Sequence, residues 1–545
     1  MSFAITSPRA DWVFYTDMPI RFSTNSKSAY PVWQSSIDGC LGVGSTVDVL
    51  LSAGIHRITA VHGSSSDAVS ITVVSRVLNT GEIRPHLLNA PKQSLYMDSG
   101  TYVPIVYTYN GSVSQLEMSA PVKYTADSYA AYEDDNHAGF GRNFSVACDI
   151  KTLVPLANVS FSRTAAADDM LVQERDFFVI NTANQLAAPH IVRAELYAAG
   201  STYTIWKPLS FAVDAAAVNT LIENIETLVI PRVCSVFGQW ADINGDGKIA
   251  VLLCPTINQE QMAIGFFNSA DLFIRNTDKT SDSYNPYSNE LDMLYLAVPS
   301  AAATGNYSAA SLSATVAHEL THNVTFNRKT FRHILAGDTQ RKQEELFLDE
   351  GLSHLSENLC GFGVSGGNIV FLDAFLKDTG SYSLCAEDKY GRSDSVGRRG
   401  AMLLFLSWLY RQSADGDSFL RNILDSHCFG WECIGEALGT STDYLFGSFV
   451  SAVATAVYTG EPFPYRTDSV TGEPVDFFCN MGMFEFGGKS YDIGIPRLYT
   501  SETEFSVLKY SVSFFDPVTF ESMQPIVFSA NGINGTVYAG MLKIE

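Results

Sequence analysis

Residues Leu312–Phe326, LSATVAHELTHNVTF, carry a helical rhythm and two histidines one turn apart. Leu312, Val316, Leu320 and Val324 recur at every fourth position, as the buried stripe of one helix requires. Ser311 or Ser313 is the expected N-cap. His318 and His322, at i and i+4, leave the same face of that helix. Their ring nitrogens can therefore reach one metal ion at about 2.0–2.1 Å. Glu319 follows the first histidine and stands beside such an ion, placed to act as general base toward a metal-bound water. Two histidines on a helix can also serve packing or capping, so the tetrad leaves both readings open until a third ligand is found.

A second stretch, Glu344–Glu357 (EELFLDEGLSHLSE), supplies a candidate. Leu346, Leu348, Leu352, Leu355 and Leu359 mark another apolar helical face. Within it, Asp349 and Glu350 precede Gly351, whose missing side chain lets a neighbouring helix or an ion come close. Glu350 is the expected third ligand. Two histidines and one carboxylate leave the fourth position of a tetrahedral zinc site open, the mark of a catalytic rather than a structural site. Asp349, His354 and Glu357 are candidates for orienting the ligands from behind. Helix packing for His354 and a solvated face for Glu357 are the competing readings.

HELTH followed by LDEGLSHLSE resembles the gluzincin class of zinc peptidases, and within it the hyicolysin-type family. The 27 residues between His322 and Glu350 exceed the spacing of thermolysin-like enzymes and one-zinc aminopeptidases and fit the hyicolysin-type pattern. The metzincin extension fails, because Thr325 and Arg328 stand where its Gly and third His belong. The aminopeptidase GAMEN motif is also missing: Gly400-Ala401-Met402 runs on into Leu403-Leu404. One departure is His354, where thermolysin-like enzymes carry Asp. The resemblance covers about 170–460. It implies a thermolysin-like α+β catalytic domain with a helical lobe, zinc as cofactor, and hydrolysis of internal peptide bonds in extracellular proteins.

Composition bounds the rest. A chain of 545 residues, 46% hydrophobic, has material for several cores. Its net charge of −23 and pI near 4.8 argue against nucleic acid and anionic membranes as partners. No run of 18 apolar residues occurs, so a transmembrane helix is not expected. The N-terminus lacks the basic and apolar regions of a leader. A secreted, periplasmic or cell-surface location, with a leader removed and surface anchoring left open, is the expectation. Nine cysteines, an odd number without a CxxC pair, cannot all pair internally. Cys428 and Cys433 suit either a short bridge or two buried thiols.

Taken in order, the chain reads as a multidomain protein. Residues 1–78 are expected to form an all-β immunoglobulin-like sandwich and 79–170 a second β domain. Residues 171–460 form the catalytic domain, with a helical lobe around Arg398–Gln412 and Phe419–Leu424. Residues 461–545 form a C-terminal β domain. Asp242, Asn244 and Asp246 match the first half of a calcium loop. Leu253 occupies the twelfth position, which excludes an EF-hand. Calcium held with help from other loops and a plain Asx/Gly turn both remain. Met293–Val298 is expected as an edge strand able to pair with an extended peptide. His333, Tyr382, Tyr390, Arg398 and Arg399 are candidates for stabilising an oxyanion. A zinc endopeptidase acting on proteins or peptides is the leading expectation. The alternative is a surface adhesin or binding protein whose protease-like domain is inactive or incidental; an exopeptidase is disfavoured by the missing GAMEN.

Overall fold

The computed structural model describes residues 3–8, 10, 13–15, 20–25, 30–51, 54–74, 81, 83–88, 92–97, 100–109, 111–119, 150–156, 173–303, 305–413, 415–459, 482–493, 498–499, 505–520 and 524–544. Cys148, Cys479 and much of the expected β segments at 121–149, 157–172 and 460–481 lie outside the described residues. The chain divides into two units. One comprises Met1–Tyr129, Val450–Glu461 and Leu498–Glu545; the other comprises Ala130–Phe449 and Pro462–Arg497.

In the first unit, short strands with alternating burial build a sandwich from the N-terminal residues. Ile5–Ser7, Ile20–Thr24 and Thr46–Val49 form one sheet; Val13–Tyr15, Ser65–Val74, Gly54–His62, Val32–Ser35 and Gly39–Val43 form the other. Phe22, Trp33, Ile58 and Ile71 are the core of this part, and the Trp33 indole satisfies its N–H on the Gly44 carbonyl.

The remainder of that unit corrects the expected domain order. Ile83–Leu87, Gly100–Thr108, Ser511–Phe515 and Val537–Lys543 share one sheet; Lys92–Met97, Val113–Ser119, Phe505–Val507 and Gln524–Asn531 share another. Gly100–Thr108 lies between strands from the far end of the chain. The segments expected as a second and a C-terminal β domain thus contribute to the same two sheets. Phe515, Ile526, Phe528 and Met541 pack there against Tyr102, Val106 and Leu116. Strands of the two segments interleave in both sheets, so the apolar face of each segment is completed by the other.

The second unit is a mixed sheet with helices. Its strands are β1 (Glu174–Val179), β2 (His190–Ala199), β3 (Tyr203–Pro208), β4 (Ile249–Leu253), β5 (Gly265–Phe267) and β6 (Met293–Leu296), in the order β1-β2-β3-β4-β6-β5. β4 runs parallel to β3 and β6, and β5 closes the sheet antiparallel to β6. Met293–Leu296 is therefore an interior strand, not the expected edge. Its MLYL sequence is buried at every position, as a strand covered on both faces must be. The edge is β5.

Helix α1 (Ala215–Asn224), capped by Asp214, continues through a π turn into Ile230–Val236. Its Asn224 Nδ2 donates to Ser313 Oγ at 3.0 Å on helix α2 (Ala309–Phe326). The N-cap of α2 is Ser308, whose side chain accepts the Ser311 amide; Ser311 and Ser313, expected as caps, lie inside the helix and are buried. Beyond it come α3 (Leu346–Leu359), α4 (Asn368–Lys377) and α5 (Val396–Tyr410). Gly351 brings α3 against α5: a Cβ there would lie 2.6 Å from Leu406 Cδ2. A hairpin, Gly482–Phe486 with Lys489–Ile493, puts the Phe486 ring against Gly367 at the head of α4. Ile150, Leu153 and Leu156 join Ala241, Phe273 and Phe326 in this unit's core. It thus draws on residues outside the expected 171–460 at both ends. No helix among the described residues is long and apolar enough to cross a membrane.

Candidate metal centre

Helices α2 and α3 carry the centre, and both are helical for the reason their sequences suggest: one apolar stripe each, buried against the sheet and α5. His318 is 7% exposed and Glu350 3%. His318 Nε2 and His322 Nε2 lie 3.1 Å apart. Glu350 Oε2 lies 3.4 Å from the first and 3.8 Å from the second. Three donor atoms thus face one another across distances that ligands of a single ion adopt, since two donors at about 2 Å in tetrahedral array stand a little over 3 Å apart.

Each group is held from behind. His318 Nδ1–H donates to Glu357 Oε1 at 2.9 Å. His322 Nδ1 is 3.0 Å from Asp349 Oδ2 and 3.2 Å from Ser353 Oγ. A carboxylate on Nδ1 sets the tautomer that leaves the Nε2 lone pair free and raises its basicity. Two such lone pairs 3.1 Å apart repel unless a proton or a cation lies between them. Glu350 Oε2 is buried and ion-paired with Arg399 Nη1 at 2.9 Å, and it also faces both Nε2 atoms. The donor set therefore fits a divalent ion.

Arg399, on α5, fixes Glu350. Its Nη2 donates to Glu350 Oε1 at 3.0 Å, its Nη1 lies 2.9 Å from Oε2, and Asp394 takes Nε and Nη2 at 2.9 and 2.7 Å. Considered among the oxyanion candidates, Arg399 instead grips the carboxylate of the third residue. Arg398 is spent on the carbonyls of Ser383 and Leu384. Tyr390 is exposed beneath Lys389 and Arg392, His333 meets His427 edge to face, and Tyr382 packs over Gly397.

The electrostatics follow. Burial works against a charged His322, but Asp349, with Glu350 and Glu319 behind it, outweighs burial and lifts the pKa to about 10. His318 moves the same way, burial being overcome by Glu350 and Glu357. Burial also opposes ionised Glu350, yet Arg399 and the two histidines hold it well below the usual carboxylate range. Glu357 is pulled to about 2 against burial by His318 and His354. A site in which carboxylates stay ionised and histidines attract positive charge is one prepared for a cation.

His354 sits behind His318, with ring centroids 4.5 Å apart. Its Nδ1 is 2.9 Å from both Glu357 Oε1 and Asn368 Oδ1, and its Nε2 has no hydrogen-bond partner. Burial and the neighbouring His318 push it down to about 4. His318, Glu350 and His354 also offer ligand atoms within 4.8 Å of one another. The set with His322 is tighter, its donor atoms lying 3.1, 3.4 and 3.8 Å apart, which favours it.

Glu319 stands apart from this ring of contacts. Its Oε2 accepts the Phe267 amide at 2.9 Å, a donor that β5 does not turn toward β6. Asp242, Asn244 and Asp246 lie elsewhere in the unit, in the loop entering β4. Asp242 takes the amides of Gly245 and Gly247, Asn244 that of Asp246, and Asp246 that of Lys248. Arg399 and Ser353 are the members of the centre that no local pattern singles out.

The chain is similar to the neutral metalloprotease ShpI of Staphylococcus hyicus, with 22% identity over 293 residues, or 52% of this chain and 61% of that protein. It thus spans less than two thirds of that relative's length. No family model matches the chain.

Proposed function

We propose that the protein is a zinc-dependent endopeptidase of the hyicolysin type, with His318, His322 and Glu350 as metal ligands and Glu319 as general base. The observation that carries this reading is the convergence of two imidazole nitrogens and one carboxylate oxygen. The likeness to a neutral metalloprotease supports it. Zinc held by His318, His322 and Glu350 would supply Lewis acidity toward a carbonyl oxygen and toward water. Glu319 accepts a proton from the attacking water and delivers it to the leaving amine. Glu357 and Asp349 keep the imidazoles in one tautomer, and Arg399 keeps the Glu350 carboxylate ionised and fixed in orientation. The side of β5 away from β6 carries the Phe267 amide that donates to Glu319, so an extended substrate backbone lying along this strand would run beside the base. Substrates are therefore unfolded or loop segments of proteins.

Metal analysis of dialysed protein, combined with cleavage of unfolded casein, tests the reading. Stoichiometric zinc and chelator-sensitive cleavage are expected. Equal cutting of N-terminally blocked and free peptides separates an endopeptidase from an aminopeptidase. Protein that keeps zinc but cuts neither casein nor peptides would leave a binding protein with an idle metal centre.

A further inference from the structure

We propose that the loop Asp242–Lys248 and the buried Asp292 together form a second metal site, for a hard divalent cation of calcium's size. The loop runs Asp242-Ile243-Asn244-Gly245-Asp246-Gly247-Lys248, with oxygen-bearing side chains at alternate positions. Gly245 and Gly247 have φ of 72° and 70°, a conformation that side-chain-bearing residues rarely adopt. The residue eleven positions after Asp242, which closes such loops with a carboxylate in helix–loop–helix calcium sites, is Leu253, buried in β4. The sheet supplies a substitute. β4 and β6 are parallel neighbours with Ala250 opposite Met293, and the Ala250 amide donates to the Asp292 carbonyl at 3.0 Å. Asp292, the residue before β6, is thus delivered beside the point where the loop enters β4.

Asp292 itself is the independent observation. It is 0% exposed. Its Oδ2 accepts Trp240 Nε1–H at 3.2 Å, while Oδ1 is buried with no hydrogen-bond partner. An orphaned carboxylate oxygen in the interior is costly unless a proton or a cation meets it. Burial raises the Asp292 pKa well above the ordinary value, and the Asp242 and Asp246 carboxylates push it the same way, so all three charges share one neighbourhood. Asp246 is raised too, by burial and by Asp242, with Lys248 the opposing cation. Three carboxylates, an amide oxygen and loop carbonyls make an all-oxygen donor set. Such sets choose calcium over zinc, which takes nitrogen and sulfur, and over magnesium, which keeps its water and insists on octahedral geometry.

A cation here would brace the proposed zinc site without touching substrate. The Ala241 amide donates to Asn323 Oδ1 at 2.9 Å, and Asn327 Nδ2 donates to the Gln239 carbonyl at 3.0 Å. Asn323 follows His322 on α2. Occupancy of the loop therefore couples to the C-terminal half of the helix that carries both histidines.

Trp240 offers a direct readout, since an indole bonded to Asp292 sensitises terbium bound beside it. Full-length protein dialysed free of calcium should give terbium luminescence that saturates at one ion per chain. Calcium should displace it and magnesium should not, and millimolar calcium should raise the melting temperature by several degrees. Asp292→Asn and the loop variant Asp246→Ser should each weaken terbium and calcium binding by about tenfold or more, as loss of one charged ligand does. His318→Ala should lose zinc yet keep the terbium signal, which separates failure of this site from failure of the zinc site. Absence of sensitised emission together with a calcium-independent melting curve would overturn the proposal. So would unchanged binding in a folded Asp246→Ser protein.

Discussion

At the scale of the residue, the proposed mechanism gives Glu319 and His318 separable tasks: Glu319 is the proton acceptor and His318 a ligand. Glu319→Gln is expected to retain zinc by metal analysis while casein cleavage falls by about 10²–10⁴-fold, the usual worth of a positioned general base. His318→Ala is expected to lose both metal and cleavage. An active glutamine variant would remove Glu319 from the mechanism. The sequence made this part readable because a four-residue spacing on a helix dictates which side chains share a face. It was less informative about Arg399. That residue reaches Glu350 across 49 positions, a contact made by the packing of α5 on α3, and no local periodicity encodes it. His354 is intermediate: its place one turn beyond Glu350 is evident from spacing, but its bonds to Glu357 and Asn368 depend on where α4 begins.

At the scale of the element, two features set the frame of the centre. Gly351 lets α3 lie against α5, and a methyl there would meet Leu406 Cδ2 at 2.6 Å and the Met402 carbonyl at 3.2 Å. Alanine would gain up to about 1 kcal/mol of helix propensity, but overpacking costs about 1–3 kcal/mol, so the clash prevails. Gly351→Ala is expected to lower the melting temperature and weaken zinc binding through its neighbour Glu350. An unchanged melting curve would mean that α5 can shift freely.

The other feature is the turn after β5, where Asp271 accepts the Asn289 amide and the Tyr295 hydroxyl, each at 2.6 Å. Burial outweighs these bonds and raises Asp271 to about 7. The folded form therefore binds this proton more tightly than the unfolded one. Its stabilising effect is complete below the unfolded carboxyl's pKa near 3.9 and is lost as pH rises through about 7. The loss is on the order of a few kcal/mol. Urea midpoints measured at about pH 5 and about pH 8 should differ in the native protein and differ less in Asp271→Asn. The four apolar residues of β6 suit an interior strand, and the pairing of β5 on its far side, which local sequence does not encode, makes it one.

At the scale of the whole molecule, the long-range pairing in the first unit has a measurable effect. Gly100–Thr108 finds its neighbours in Ser511–Phe515 and Val537–Lys543, and Lys92–Met97 pairs with Gln524–Asn531. Deleting residues from 498 onward should leave these strands without partners. Hydrogen exchange at 100–108 is expected to lose its protection, and the truncated protein to bind a hydrophobic dye. Retained protection would require that the N-terminal strands pair among themselves. Alternation of apolar residues identified both segments as β structure, but periodicity carries no address for the partner strand. Periodicity alone therefore implies two domains, although the segments complete one another.

That interleaving also governs the order of events during biosynthesis. The stretch at 100–108 emerges from the ribosome with more than four hundred residues still to be added before its neighbour at 537–543. At 5–20 residues per second the delay is roughly 20–90 s. Through that interval a nearly continuous run of apolar side chains, TYVPIVYT, has no lasting cover. Through that delay the segment is open to capture by anything that binds extended apolar chain, and slow codons near the C-terminus would lengthen its exposure.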